Sequence, residues 1–586
     1  MKKLLVAIVT ICLCVGMGFS VDNAVNQQKI FPVDSDVYQA ITLLYINQGL
    51  ALPSTTGPWS ADELSGMLDK IDRNELASGA INAYDFAVAQ LGTSGRAVRF
   101  GLDVALEGYY HTDTVNFTKE EQWIRGFDER SPLLDIVLET WPATHFYGYT
   151  SLSLGNNEYN GWSVSEGPTS TFFGVNALTT NIILVPPAVL NDFDFNIPFR
   201  AFGAVGGDDW SVQIGRDKMS WGPGVSGNFV VGDHLLYHNM GRFTTYGDTF
   251  KYTLATSFFP HPYEYYDPSS VSGYYVKRGG QDDLMKGLNM FLAHRLEWKM
   301  FSGKVGLVLT EAMMYQSLDG SIDLRILNPA AIFHNYYIRH NSNSIISFEV
   351  DYTPISFVNL YGQIVFDEFA LPGEPVPGVD SSALPNGYGY MLGAKGSYPM
   401  ADGMFYGSFE WALTDPYLYL RDNGDRNQDL GEYGINYVVA IRQFSNGLGV
   451  SYAEEFLGYQ YGGDAVVINA NAGYKVFGKW SVEGNLFYML HGTHDKWTLW
   501  SYVQPSTNVN TPTTEHNNGN NMDPDAQNRD AVSKTLATSV KGGYTILPSL
   551  NVYGQLDYIS IVNPGNMSTN APISDVQVTL GVSYSL

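Results

Sequence analysis

Two periods of apolar and polar positions divide the chain. From Asp34 to Leu91 the period is helical. Val37, Ala40, Ile41 and Leu44 share one face of a first helix, with Asp34 or Ser35 as cap and Gly49 as stop. Ser60-Ala61-Asp62-Glu63 opens a second helix as a capping box, in which hydroxyl and carboxylate each satisfy an orphaned backbone amide. Trp59 precedes this cap and can pack on Leu64; the buried face runs through Leu64, Met67, Leu68 and Ile71. A third helix follows Asn74, with Leu76, Ala80, Tyr84, Val88 and Leu91 on one side. Three short amphipathic helices with brief links can share a core, so residues 21–94 are expected to form a periplasmic three-helix segment. Helices that line the mouth of a following barrel would have the same chemistry.

After Gly92 the period is two. Phe100, Leu102, Val104 and Leu106 alternate with Asp103, Ala105 and Glu107, apolar outward and polar inward. The pattern recurs through His145–Leu154, Trp210–Ile214, Phe291–Glu297, Val305–Leu309, Ile345–Tyr352, Phe357–Ile364, Tyr388–Tyr398, Met404–Trp411, Tyr437–Phe444, Ala465–Val476, Trp480–Tyr488, Leu536–Tyr544 and Val552–Ile559. Short turns such as Met400-Ala401-Asp402-Gly403 alternate with long polar loops, the longest from Gln504 to Asp530. Val576, Val578, Leu580, Val582, Tyr584 and Leu586 then alternate to the terminal residue. This final amphipathic strand resembles the assembly signal of bacterial outer-membrane barrels, with Leu586 where Phe is usual. An all-β, antiparallel transmembrane barrel is expected over 95–586, of about sixteen to twenty strands with eighteen as the best value, preceded by the small α-helical bundle. A soluble sandwich would rarely combine such a strand with this loop asymmetry.

Lys2 and Lys3, the apolar run Leu4–Val15 and small residues at Gly16, Gly18 and Ser20 read as a cleaved signal peptide over 1–20. Cys12 and Cys14, the only cysteines, fall inside it, so the mature chain is expected to lack thiol chemistry and Cys-ligated metal. Without the two signal lysines, 31 basic stand against 59 acidic residues, a net charge of −28. That argues against nucleic acid as a partner, since phosphate binding needs a concentrated basic face. The expected setting is the bacterial outer membrane, in contact with its lipid and with the barrel-assembly machinery through the C-terminal strand, as a monomer.

The densest motif runs from Trp210 to Gly224: a strand enters Gly215-Arg216, then Trp221-Gly222-Pro223-Gly224. By alternation Arg216 shares the lipid side with Ile214. Either the strand has left the membrane by Gly215, or a bulge there turns Arg216 inward, where lumen carboxylates or a ligand would meet it. This segment resembles the Wzi-type capsule assembly proteins of the outer membrane. Leu309-Thr310-Glu311, Asp323-Leu324-Arg325-Ile326-Leu327-Asn328-Pro329 with His334, and Phe366-Asp367-Glu368-Phe369 carry the same resemblance. It implies a barrel of about eighteen strands with periplasmic helices and a largely closed lumen. The implied activity is lectin-like attachment of capsular or other exported polysaccharide at the cell surface, without catalysis. Gly215, Gly222, Pro223, Gly224, Glu311, Asn328, Pro329, Asp367 and Glu368 are then structural marks of the family. Arg216 and Trp221 join Tyr263, Tyr265 and Tyr266 as candidate ligand contacts.

Those tyrosines belong to an aromatic cluster from Phe258 to Tyr266, joined by Tyr274 and Tyr275, which can stack on pyranose faces or form an interfacial girdle. Asp425-Arg426-Asn427-Gln428-Asp429 alternates oxygen ligands like a calcium loop, but Leu430 takes the glycine position and Asn436 the final glutamate position. No metal or other cofactor is expected. His491, His494 and Asp495 lack a matched nucleophile, and no hydrolase, metalloprotease or phosphate-loop motif occurs. The alternative to polysaccharide binding is a porin or substrate channel for small solutes, whose acidic lumen would favour cations.

Overall fold

The computed structural model describes residues 26–92, 98–117, 123–125, 129–154, 178–181, 200–262, 287–317, 319–328, 341–367, 385, 387–421, 435–446, 449–500, 510–514, 521 and 524–586. The leader expected over 1–20 lies outside the described residues.

Alternation along the second part of the chain becomes a barrel wall. Its strands are β1 (Val98–His111), β2 (Leu134–Ala143), β3 (Phe146–Leu154), β4 (Ala201–Gly207), β5 (Trp210–Asp217) and β6 (His238–Tyr246). Next come β7 (Phe250–Phe259), β8 (Leu288–Met300), β9 (Val305–Ser317), β10 (Ser342–Ile355), β11 (Val358–Phe366) and β12 (Tyr388–Met400). The last are β13 (Gly403–Thr414), β14 (Ala465–Val476), β15 (Trp480–His491), β16 (Ser533–Leu547), β17 (Leu550–Val562) and β18 (Ile573–Ser585). Each pairs antiparallel with the next, and β18 returns to β1 with Gln577 opposite His111 and Ser585 opposite Asp103. Closure removes the exposed edges a sheet cannot leave in lipid. A three-residue strand, Leu178–Thr180, pairs with the upper part of β1.

The outward positions Phe100, Leu106, Ile214, Leu392, Val540, Leu556 and Leu580 are exposed, as a lipid-facing surface requires. Trp210, Phe250, Trp298, Phe301, Tyr398, Trp480 and Tyr544 are exposed near the short-turn rim, the place of an interfacial aromatic girdle. Inward positions carry buried polar groups such as Gln213, Asp217, Arg295, Glu297, Glu349 and Asp557. No described helix is long and apolar enough to cross a membrane.

Two departures from the alternation reading are informative. Strands β4, β6 and β7 escaped it because Gly, Ala and Thr hold many positions that Val or Leu would mark, as in Ala201–Gly207; β2 escaped it although Leu134, Ile136 and Leu138 alternate. Tyr437–Phe444 is expected in the wall, but among the described residues Val438–Asn446 pairs with Gly449–Phe456 and with no wall strand. Val438, Val439 and Ala440 are consecutive and all buried, so this hairpin is surrounded on both faces inside the barrel.

The helical segment forms α1 (Asp36–Asn47), α2 (Ala61–Leu68) and α3 (Ser78–Leu91). Ser35 caps α1 through the Val37 amide, and Ser60 caps α2 through the Glu63 amide. The reciprocal half of the capping box fails, because the Glu63 carboxylate accepts instead from Lys251 of β7. Trp59 is buried in one cluster with Leu64 and stacks on Tyr38 at 3.7 Å. On α3 the buried line is Ala80, Ala83, Ala87 and Leu91, whereas Val88 is exposed. These small residues let the helix lie close to the barrel; a Cβ on Gly79 would stand 2.0 Å from the Gly403 carbonyl. Met404, Tyr406 and Phe477 of the barrel complete the helices' core, so the helices are seated on the short turns of the wall.

Candidate functional site

Between α1 and α2, residues 50–60 run as a strap into the barrel interior. An extended strap has backbone groups with no ladder of their own, so the wall must supply their partners. Asp351 accepts from the Leu52 amide at 2.6 Å, and Thr353 donates to the Leu50 carbonyl at 2.6 Å. Lys251 donates to the Ser54 hydroxyl at 2.9 Å and the Thr56 carbonyl at 3.0 Å, and Arg242 donates to the Pro58 carbonyl. Glu297 accepts from Ser54 at 3.0 Å and from Thr56. Arg295 is fully buried and holds both sides together. Its Nη1 and Nη2 meet the Glu349 carboxylate at 2.6 and 2.8 Å, while Nε and Nη2 donate to Thr56 and Thr55 at 2.6 and 2.7 Å. The fork geometry satisfies carboxylate and strap at once, which a lysine cannot do. Burial raises the Glu63 carboxyl at the strap's end, and the Lys251 ammonium opposes that rise.

The loop after β5 comes from the opposite rim and also folds inward. It carries Trp221-Gly222-Pro223-Gly224, with Trp221, Phe229, Val230 and Val231 fully buried. Gly222 has φ 140°, and a Cβ there would lie 2.3 Å from Asn228 Oδ1; Asn228 itself accepts from the Gly224 amide at 2.8 Å. Lys395 donates to the Pro223 carbonyl at 2.6 Å. Glu410 accepts from the Val225 and Ser226 amides at 2.8 and 2.9 Å and from Tyr361 at 2.6 Å. Inside the barrel the strap and this loop pair as a two-stranded ribbon, Thr56 opposite Trp221 and Gly57 opposite Ser220.

Around that ribbon a hydrophobic core fills the interior along β6–β14. Trp221, Phe229 and Val231 meet Phe291, Met314, Ile345, Val365 and Val467 of the wall and Tyr419, Tyr437, Val439 and Tyr459 of the hairpin region. Asp367, just beyond β11, accepts from the Tyr419 amide at 2.7 Å. Burial raises its carboxyl to about 7, against a smaller opposing pull from Arg421.

Arg216 stays outward. The register through Gly215 and Arg216 is regular against both neighbours, so no bulge turns the side chain, and β5 continues to Asp217. Gly215 has φ 138° and a Cβ there would lie 2.4 Å from the Ala201 carbonyl. Arg216 donates to Asn239 at 2.9 Å and covers the Tyr237 ring at 4.0 Å. Among the described residues, arginines that meet inward carboxylates include Arg295, Arg200, which lies 2.7 Å from Asp217, and Arg125, which lies 2.5 Å from Glu107. Trp221 and the three residues after it lie at the lumen ribbon. Glu311 is on the outer face, 3.0 Å from His294, away from that ribbon. Asn328 ends a short helical turn (Leu324–Leu327) whose Ile326 packs on the outward Met290, Leu292 and Met313. Tyr263, Tyr265, Tyr266, Tyr274, Tyr275, Pro329, His334, Glu368 and the sequence 425–429 lie outside the described residues. Phe258 is exposed on the outer wall, in keeping with a girdle role. His494 and Asp495 bind to different partners, Asp464 and Arg529.

Sequence reasoning did not single out Arg295, Lys251, Glu297, Glu349 or Glu410. Their signal was present: charged residues at inward positions of strands, where burial demands a partner.

No protein-family model matches the chain, and no curated protein matches it. Among solved structures, the fold is similar to Wzi, described as an outer-membrane protein involved in group 1 capsule assembly in Escherichia coli and as a carbohydrate-binding β-barrel. The TM-score is 0.55 at 13% identity, over 94% of this chain and 98% of that one. OprD of Pseudomonas aeruginosa aligns at TM-score 0.37 and 9% identity, over 83% of this chain and 95% of that one. The outer-membrane channel DcaP of Acinetobacter baumannii aligns at TM-score 0.33 and 9% identity, over 83% and 97%. The chain has an outer-membrane barrel fold like that of Wzi, which supports an outer-membrane location.

Proposed function

We propose that this protein is a non-catalytic outer-membrane barrel that binds or anchors exported polysaccharide at the cell surface. The observation that carries this reading is the ribbon of Thr56 and Trp221 inside the barrel, set in a continuous packed core. A lumen crossed from both rims and packed along β6–β14 narrows any path for solutes, and a scaffold for surface loops gains rigidity from it. The likeness to a carbohydrate-binding barrel of similar length supports the same reading. At a net charge of −28 after the expected leader is removed, an acidic polymer would be repelled unless local neutral or cationic contacts receive it.

A second reading, a solute channel, draws on the inner wall of β15–β17, where Lys541 is exposed and Glu483, Asn485, Ser539 and Gln555 are partly exposed. Conductance of the purified protein in a planar bilayer separates the two. Silence, with loss of surface polysaccharide in a deletion strain, is the outcome the anchoring reading requires; large steady single-channel steps would exclude it.

A further inference from the structure

The interior is filled unevenly. On β6–β10 the inward residues Thr244, Thr253, Ala255, Ser257, Phe291, Ala293 and Ser347 have no exposure at all. Across the barrel, Asn471, Asn485, Ser539 and Gln555 on the inward face of β14–β17 are partly exposed, toward the short-turn end, whereas Ala465, Val467, Asn469 and Asp557 of the same strands are buried. Register places Ser408, Asn471, Asn485 and Ser539 side by side in one row around the wall. The next row toward the short turns holds Glu483, Lys541 and Gln555. The Lys541 side chain is 57% exposed although it points into the barrel, so solvent reaches this wall. Above both rows the inward side chains turn apolar, with Phe487, Ala537 and Ile559 in register and Phe117 packed on Ile559 and Ile561. The space is therefore a polar cleft beneath an apolar ceiling.

The chemistry of the cleft is specific. Its side chains are amides and hydroxyls, which both donate and accept as sugar hydroxyls do. The Asn485 amide and Ser539 hydroxyl make no hydrogen bond among the described residues. The one cation is already matched: Lys541 lies 3.0 Å from Glu483, which also accepts from Tyr406 at 2.7 Å, while Asp557 accepts twice from the neutral Gln555 amide at 3.0 Å. An anionic ligand would meet Glu483 and Asp557 with Lys541 already paired, whereas an uncharged polyol can use the Asn485 amide and Ser539 hydroxyl directly and share the Ser408–Asn471 pair.

We infer that the β14–β17 wall is a lumenal binding cleft for an uncharged, hydroxyl-rich carbohydrate. This deepens the polysaccharide reading and rests on it for the class of ligand. The test uses the whole protein in detergent, with Ser539→Cys or Asn485→Cys labelled by a negatively charged maleimide and Ser257→Cys as the packed control. Labelling is expected at 539 and 485 and not at 257. Neutral hexasaccharides of glucose, galactose and mannose are the probes, against hexagalacturonate. At least one neutral probe is expected to slow labelling about fivefold or more, hexagalacturonate is not, and Asn471→Leu with Ser408→Ala should remove the protection. Absence of labelling at both cleft positions, or protection by none of the neutral probes, overturns the cleft. A deletion strain that keeps its surface polysaccharide while protection persists removes the surface role alone. Loss of that polysaccharide in the deletion strain, without protection at the cleft, removes the cleft alone.

Discussion

Thr56 and Trp221 face each other across an antiparallel bridge inside the barrel, one from each rim, and the Gly222 amide extends the ribbon by donating to the Thr55 carbonyl at 3.0 Å. The tight turn that delivers Trp221 depends on glycine. A methyl group on Gly224 would lie 1.9 Å from the Gly227 carbonyl, a backbone atom that cannot yield as a flexible side chain can. Gly224→Ala is therefore expected to destabilise the protein by more than about 1 kcal/mol. The readout is the temperature at which the folded band is lost on a gel run without boiling; an unchanged transition would refute the tight-turn account.

Arg295 is the side chain on which the strap most depends. Removing it leaves Glu349 charged and buried and deprives Thr55 and Thr56 of their donor. Arg295→Met is expected to cost about 3–5 kcal/mol, the usual loss when one member of a buried pair is deleted. Arg295→Lys keeps the charge but not the fork and should recover only part of that loss. Limited proteolysis is the direct check: cleavage within residues 50–60 should rise in the Met variant before the barrel itself melts. Equal resistance in all three proteins would contradict the role given to Arg295.

Why the barrel was legible and its interior was not follows from what alternation encodes. Phe100, Leu102, Val104 and Leu106 record one bit per residue, lipid or lumen, and that suffices for wall strands such as β1. It says nothing of which lumen residue meets which, because Arg295 and Glu349 are paired by the register of three strands. The same limit explains Tyr437–Phe444, whose local pattern suits a wall but whose neighbours are the interior core. At Glu63 the local rule predicted a capping partner, and a long-range one, Lys251, displaced it. The Trp-Gly-Pro-Gly segment was recognisable as a motif, yet its position inside the barrel is fixed by Lys395 and Glu410, far away in sequence.

Arg216 offers a contrast with Arg295. It lies on the outer face, where it donates to Asn239 and covers the Tyr237 ring. Arg216→Ala is expected to change stability by no more than about 1 kcal/mol, the scale of partly exposed polar contacts. Thermal unfolding of the purified protein measures it. A loss as large as that of Arg295→Met would show that the outer-face placement misses its main partner.

Asp367 makes stability depend on pH in a direction opposite to most carboxylates. Its folded value is raised by burial to about 7, from an ordinary 3.8. Between those values the folded chain keeps a proton that the unfolded chain releases, so the folded state binds more protons and its stability falls as pH rises through this window. The contribution is present in full below the ordinary value and is lost as pH passes the folded one. Its upper bound is about 4 kcal/mol, from roughly three units at about 1.4 kcal/mol each. Asp367→Asn retains an oxygen to accept from the Tyr419 amide and cannot ionise, so it should flatten the dependence between pH 5 and 8. Unfolding transitions of both proteins across that range decide it. Parallel curves, or a wild-type protein that gains stability with rising pH while the variant does not, would mean that Asp367 is ionised in the folded barrel.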